Sequence, residues 1–143
     1  MTRPPARLGS GRAPVTAPML GVIALGGAVG ALLRWALGEL VPDGSGFPWT
    51  TFAINLSGSA VLAVLPGLVA EGRRPLLALA LGPGLLGGFT TLSAYAEQGR
   101  RLLADGSGLL AAAYLGGTLV ACVAAVHVGA AIVRRRNEPD VVT

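Results

Sequence analysis

The sequence predicts an all-α membrane protein of four transmembrane helices, the third of them broken at its centre. Three observations lead there. Charged residues make up only 13% of the 143 and hydrophobic ones 52%, with a mean hydropathy of +0.66, whereas a soluble domain carries roughly 25% charged residues. Four apolar runs each reach the roughly 20 residues needed to cross a bilayer. The third run contains the poorest helix-forming stretch of the chain, GPGLLGGFTTLSAYAEQ over residues 82–98, in which four glycines and a proline fall within seven residues.

Taken in order, residues 1–17 are rich in Pro, Gly and Arg without periodicity and are expected to form a disordered basic tail. The apolar run that follows exceeds the roughly 7–15 residues of a signal-peptide core and is assigned as a membrane span. Span 1 covers residues 20–40 and is interrupted by Arg34; span 2 covers 49–70 and span 3 covers 76–96, both without charge; span 4 covers 108–133, with His127 and Cys122 as its ionisable groups. The short connections leave no room for a soluble domain, so residues 18–133 form one transmembrane unit and 134–143 a basic C-terminal tail.

Arg placement sets the orientation. The N-terminus, the second connection and the C-terminus share one side and carry eight Arg (Arg3, Arg7, Arg12, Arg73, Arg74, Arg134, Arg135 and Arg136), while the other side carries two, Arg100 and Arg101. Both termini are therefore expected in the cytoplasm, with the orientation fixed. The basic residues form no stripe with interleaved aromatics, so the pI near 10.6 does not point to nucleic acid. With a single cysteine the chain has neither a disulfide framework nor a thiolate metal cluster.

Small residues recur at helix-packing spacing: Gly26 and Gly30 in span 1, Gly58 between Ser57 and Ser59 in span 2, Gly116 and Gly117 in span 4. These permit close helix approach, either within the bundle or between copies. Four short helices enclose too little volume for a pathway through one protomer, which calls for a dimer.

The break is the expected functional centre, because irregular backbone at membrane depth survives only where protein or a water-filled cavity satisfies it. Pro83 cannot donate a backbone hydrogen bond, so carbonyls over residues 87–90 are expected to be free for a hard cation such as Na⁺. The second half-helix begins near Thr90 and Thr91 with its positive end towards an anion. Asn55, an amide in an apolar run, is either an interhelical hydrogen bond or part of a lane of neutral donors with Ser57, Ser59, Thr90, Thr91, Ser93 and Thr118. Such donors replace a hydration shell without trapping a small anion. The absence of a buried carboxylate or a Ser/His/Asp arrangement argues against an enzyme. Arg34 is expected in a structural or dimer-packing role, and His127 is expected to be structural.

Together GGAVGALLRW (residues 26–35), FPWTTFAINLSGS (47–59) and GGFTTLSAY (87–95) resemble the CrcB/Fluc family of fluoride channels. The resemblance implies an antiparallel dimer with two narrow pores, passive and selective for fluoride, that relieves fluoride toxicity. It further implies a structural, non-transported Na⁺ at the dimer interface, held by backbone carbonyls of Gly87 and Thr90, and an anion path past Asn55, Thr91, Leu92, Ser93, Tyr95 and Thr118. Leu92 and Tyr95 stand where the family usually has two pore-lining phenylalanines, Ala94 replaces a Thr, and Gln98 replaces an acid. Because a homodimer of opposed chains calls for weak Arg asymmetry, these departures together with the Arg bias lead to the expectation of a heterodimer with an oppositely oriented paralogue. A small multidrug-type proton-coupled transporter would place a membrane-embedded Glu in its first helix, where this chain has only Glu39 at the very end; a non-transporting assembly partner is the third possibility.

Overall fold

The computed structural model describes residues 15–69 and 74–137. The N-terminal tail up to residue 14, Arg73 in the second connection and residues 138–143 lie outside the described residues. Helix α1 spans Ala17–Leu40, with a proline in its first turn, where a fixed φ and a missing N–H cost nothing. Helix α2 spans Trp49–Val69. The third span is composite: α3 (Pro75–Leu79) runs into a π-helical segment (Ala80–Leu86) and a single α turn, α4 (Gly87–Phe89), and after two extended residues α5 covers Leu92–Ala104. Helix α6 spans Gly108–Asn137. Four helical units are long and apolar enough to cross a membrane, and the described residues contain no strand.

Two boundaries differ from the sequence expectation. Helix α5 continues past residue 96 to Ala104, so Arg100 and Arg101 ride on the helix and the third connection shrinks to residues 105–107. Gly106 closes it at a φ of 75°, a conformation that only glycine adopts without strain. Helix α6 carries Arg134, Arg135 and Arg136 in its last turn, where cations complement the negative end of the helix dipole.

The π-helical segment has a local cause. In α geometry the Pro83 ring would collide with the carbonyl of Leu79, and its missing N–H would leave that carbonyl bare. Widening the turns accommodates the ring inside the span without ending it. The widened segment packs mainly on α1, backbone against backbone. A Cβ on Gly26 would overlap the carbonyl of Ala80, one on Gly30 the carbonyl of Leu85, and one on Gly88 the carbonyl of Gly27. The spacing of Gly26 and Gly30 is thus used inside the protomer, with α1 seated on the first half of the third span.

Helix α6 packs along α2, where Gly129 faces Ala63 and Gly67 faces Val133. It also packs on α5, where Gly99 lies under the side chain of Leu115. A buried cluster forms at one end: Leu102, Ala111 and a fully buried Tyr114, flanked by Phe47, Phe52 and Tyr95. Phe47 meets Tyr114 edge to face at 5.4 Å, a geometry favoured by the ring quadrupoles. Most of α1 looks outward, with Leu25, Leu32 and Trp35 each more than 60% exposed.

The glycine contacts make a discriminating prediction. Gly30→Ala forces α1 off the π-helical segment and costs at least about 1–3 kcal/mol, the usual penalty of overpacking. Gly27→Ala, whose Cβ would sit at an ordinary 3.8 Å from the Gly84 carbonyl, leaves the unfolding temperature of detergent-solubilised protein nearly unchanged.

Candidate functional site at the third-span break

The chain leaves helical geometry at Thr90 (φ −73°, ψ 156°) and Thr91 (φ −147°, ψ 113°) and re-enters it at Leu92. The interruption therefore falls on the paired threonines, several residues after the proline. Asn55 of α2 holds it open. Its Oδ1 accepts the Thr91 N–H at 2.8 Å, and its Nδ2 donates to the Thr91 carbonyl at 3.1 Å. The side-chain amide thus pairs with an extended residue as a neighbouring strand would. Gly58, one turn further along α2, makes room for Thr90; a Cβ there would overlap the threonine methyl. The Thr91 hydroxyl caps α5 by accepting the Ala94 N–H at 3.1 Å and lies 3.2 Å from the Ser93 hydroxyl.

These bonds have a consequence for the carbonyls. In an α-helix each C=O accepts the N–H four residues on. The Thr91 N–H, due to the Gly87 carbonyl, is taken by Asn55, and the Ala94 N–H, due to the Thr90 carbonyl, is taken by Thr91 Oγ1. Gly87 and Thr90 therefore lose their regular donors, and Gly87 lies on an exposed face with open space around it. Between them in sequence, the Gly88 carbonyl accepts from Arg34 Nε at 3.3 Å, which gives that intramembrane cation a structural partner. Backbone carbonyls are the kind of oxygen ligand that a hard cation takes, and the described residues contain no cluster of His, Cys, Asp or Glu that could hold a metal ion.

On the other side of the break a groove of about 260 Å³ opens between α2, α5 and α6. Asn55 and Ser59 reach it from α2, Thr90, Thr91, Leu92 and Tyr95 from the third span, and Thr118 and Cys122 from α6. Thr118 is only 3% exposed, and its hydroxyl has no hydrogen-bond partner. A threonine in a helix ordinarily bonds back to the preceding turn, and an unpaired buried hydroxyl costs about 1–3 kcal/mol. Tyr95 is pinned as a wall by its hydroxyl, which donates to the Leu115 carbonyl at 2.7 Å. Leu92 is 78% exposed at the rim. Ser93, also exposed, does not line the groove. Most of the residues singled out in the sequence thus meet here, while Gly26, Gly30 and Arg34 support the break from α1.

Asp43 is a functional residue that sequence reasoning missed. This carboxylate, in the connection between α1 and α2, accepts the Thr50 N–H at 2.7 Å, the Thr51 N–H at 3.2 Å, the Thr51 hydroxyl at 2.8 Å and Gln98 Nε2 at 2.7 Å. Gln98 in turn accepts the Tyr114 hydroxyl at 2.9 Å. One acid thereby ties the start of α2 to α5 and α6. The available signal was an Asp just ahead of a helix that opens Trp-Thr-Thr, whose first N–H groups need an acceptor. Partial burial pushes the Asp43 carboxyl up, but the bonds from Thr51, Thr50 and Gln98 outweigh it and hold the group below its ordinary value of 3.8. Glu97, beside Gln98, faces outward to Arg100 and Arg101, and exposed pairs of this kind contribute little. His127 Nδ1 lies 2.9 Å from the Val123 carbonyl one turn back, a local structural contact.

Because the folded-state value of Asp43 lies below 3.8, its stabilisation is complete above that pH and is lost as the pH falls through the lower folded value. Asp43→Asn keeps one acceptor but cannot serve all four donors. It is expected to destabilise the protein at neutral pH by about 1 kcal/mol, partial exposure screening the rest. The gap to the native chain should narrow as the pH drops below 3.8, as read from thermal unfolding across that range.

The family model described as "CrcB-like protein, Camphor Resistance (CrcB)" matches residues 21–130, all four spans included. Among curated relatives, "Fluoride-specific ion channel FluC 1" of Streptomyces coelicolor is 43% identical over 122 residues, covering 83% of this chain and 79% of the relative. "Fluoride-specific ion channel FluC" of Novosphingobium aromaticivorans is 44% identical over 117 residues, 78% of this chain and 93% of the relative. "Fluoride-specific ion channel FluC 2" of Nocardia farcinica is 42% identical over 124 residues, 85% of this chain and 89% of the relative. With four membrane-length helices and this match over most of its length, the chain is a multi-pass membrane protein of the CrcB-like family.

Proposed function

We propose that the chain is one subunit of a fluoride-specific channel that lets the anion leave the cytoplasm passively. The single observation that carries this reading is that Thr118, whose buried hydroxyl has no partner, lines the same groove as Asn55, in a chain whose relatives are named as fluoride channels. Fluoride is small and strongly hydrated. A path for it must supply hydrogen-bond donors to replace water, yet no full positive charge to hold it. Thr118 offers its O–H, Asn55 has one amide N–H beyond the one given to Thr91, and the N-terminus of α5 presents the positive end of a helix dipole. Outside acid delivers neutral HF through the lipid; it ionises in the less acidic cytoplasm, and the trapped anion runs down its own gradient through the channel.

The freed carbonyls of Gly87 and Thr90 are the residues that would hold a structural Na⁺. Bound there, the cation supplies fixed positive charge that locks the break; it is not transported. Two oxygens from one chain are too few for such an ion, and a second subunit bringing its own pair would complete the site. The Arg bias of eight against two supports a reading with both termini in the cytoplasm and a single orientation for this subunit. Leu92, 78% exposed where an aromatic side chain is usual, leaves the rim of the groove to be finished by another chain. Both features favour an oppositely oriented paralogue as the partner in an antiparallel pair. The alternative of a proton-coupled transporter lacks a carboxylate at membrane depth in span 1, since Glu39 is exposed at the end of α1.

Fluoride efflux from liposomes tests the reading. Thr118→Val should leave stability unchanged or slightly raised, because it removes an unpaired hydroxyl, while efflux falls roughly tenfold, the value of about 1.4 kcal/mol for one hydrogen bond to the ion. Unchanged efflux would place the path elsewhere. Co-reconstitution with a paralogue of opposite Arg bias should raise efflux well above that of the lone chain. Full activity from the lone chain inserted both ways would sink the paired arrangement, and no fluoride efflux from either preparation would sink the channel.

A further inference from the structure

Helix α5 follows two extended residues, so its direction is not inherited from the first half of the third span through continuous helical hydrogen bonds. Side chains must set it. One fixed point lies at its start, where Asn55 holds Thr91. The other is Gln98, about two turns further on, whose Nε2 donates to Asp43 at 2.7 Å and whose Oε1 accepts the Tyr114 hydroxyl at 2.9 Å. Tyr95, Gln98 and Leu102 are three or four residues apart and share one face of α5. On that face Tyr95 lines the groove, its ring 5.4 Å from that of the fully buried Tyr114. A line of contacts thus runs from Asp43 in the α1–α2 connection through Gln98 to Tyr114, and ring packing carries it on to the groove wall.

The charge of Asp43 gives this line a direction. The carboxyl is held below its ordinary value and is ionised at neutral pH. An ionised carboxylate only accepts hydrogen bonds, whereas an amide has one donating and one accepting end. Asp43 therefore draws the NH₂ of Gln98 to itself and turns Oε1 towards Tyr114, the arrangement in which the tyrosine O–H also finds an acceptor. With an uncharged amide in place of Asp43, Gln98 is free to turn over and present its NH₂ to Tyr114 instead.

We propose, resting on the channel reading above, that Asp43 is a positioning residue that sets anion specificity: through Gln98 and Tyr114 it holds Tyr95 in place and keeps the groove too narrow for an anion larger than fluoride. Walls that do not yield tell a small ion from a larger one, and a wall whose supporting helix can turn admits both. Tyr95 has one bond of its own, to the Leu115 carbonyl at 2.7 Å, which fixes the tip of the ring. Asp43 fixes the helix that carries the ring. This role is separate from the contacts of Asp43 with Thr50 and Thr51, which bear on stability.

The experiment measures fluoride and chloride efflux from liposomes that hold this chain with its partner paralogue, against protein-free liposomes, and reads the ratio of the two rates. Loss of folded channels lowers both rates together and leaves the ratio unchanged, so the ratio separates positioning from stability. Asp43→Asn and Gln98→Met should each lower the fluoride-to-chloride ratio about tenfold, with chloride efflux rising, the worth of one hydrogen bond to a charged group. The double variant Asp43→Asn with Gln98→Glu moves the carboxylate onto α5, where it accepts from Tyr114 and from the new amide in the connection. It should restore the ratio while the unfolding temperature stays below that of the native chain, because Thr50 and Thr51 still lack their carboxylate. An unchanged ratio in the single variants, or one that the double variant does not restore, overturns the proposal. Absence of fluoride efflux from the native channel overturns the channel reading itself, and this one with it.

Discussion

The bidentate contact between Asn55 and Thr91 is the interaction on which the rest of the structure depends. At membrane depth no water is present to satisfy a peptide group, and each one left bare costs several kcal/mol. Two consecutive residues of the third span leave helical geometry, and Asn55 serves both the N–H and the carbonyl of one of them. Once that amide is in place, the Thr91 hydroxyl can start a new helix and the Gly87 and Thr90 carbonyls are released. Asn55 is therefore at the same time the interhelical hydrogen bond and a lining residue of the groove. The two positions are compatible, because an amide has more bonding capacity than its two bonds to Thr91 consume.

The spans were legible because a membrane imposes a simple test of length and apolarity, and all four pass it. The break was legible in kind, though its cause lay elsewhere. The glycines around Pro83 were read as weakening the helix. In the fold they serve proximity: Gly84 and Gly88 lie against the backbone of α1 at Ile23, Gly26 and Gly27, while the proline is absorbed by the π-helical turns. The helix ends at Phe89, one residue after the last glycine, because Asn55 competes successfully for the Thr91 N–H. That competitor sits 36 residues away in sequence, and no local pattern announces it.

Asp43 was invisible for a similar reason. In the sequence it is an ordinary loop acid, and only folding brings Thr51, Gln98 and, through Gln98, Tyr114 to it. Gln98 had been read as the loss of a family carboxylate. The structure shows an acid nearby in space, on a different element, with Gln98 as the link between it and the buried tyrosine. Charge at this end of the bundle is held by the α1–α2 connection, and the aromatic cluster of Phe47, Phe52 and Tyr114 packs beneath it.

The order in which the clamp is made matters for biogenesis. A chain enters the membrane from its N-terminus as it is synthesised. Helix α2, with Asn55, is therefore complete before Thr90 and Thr91 leave the ribosome, and α1, with its glycine seat for the π-helical segment, is earlier still. The segment that leaves helical geometry emerges only after both of the surfaces that accept it exist. With the two halves of the clamp in the opposite order, the extended residues would enter lipid unpaired and wait there. As written, the sequence carries its own schedule, and the segment most exposed to misinsertion spends the least time without a partner.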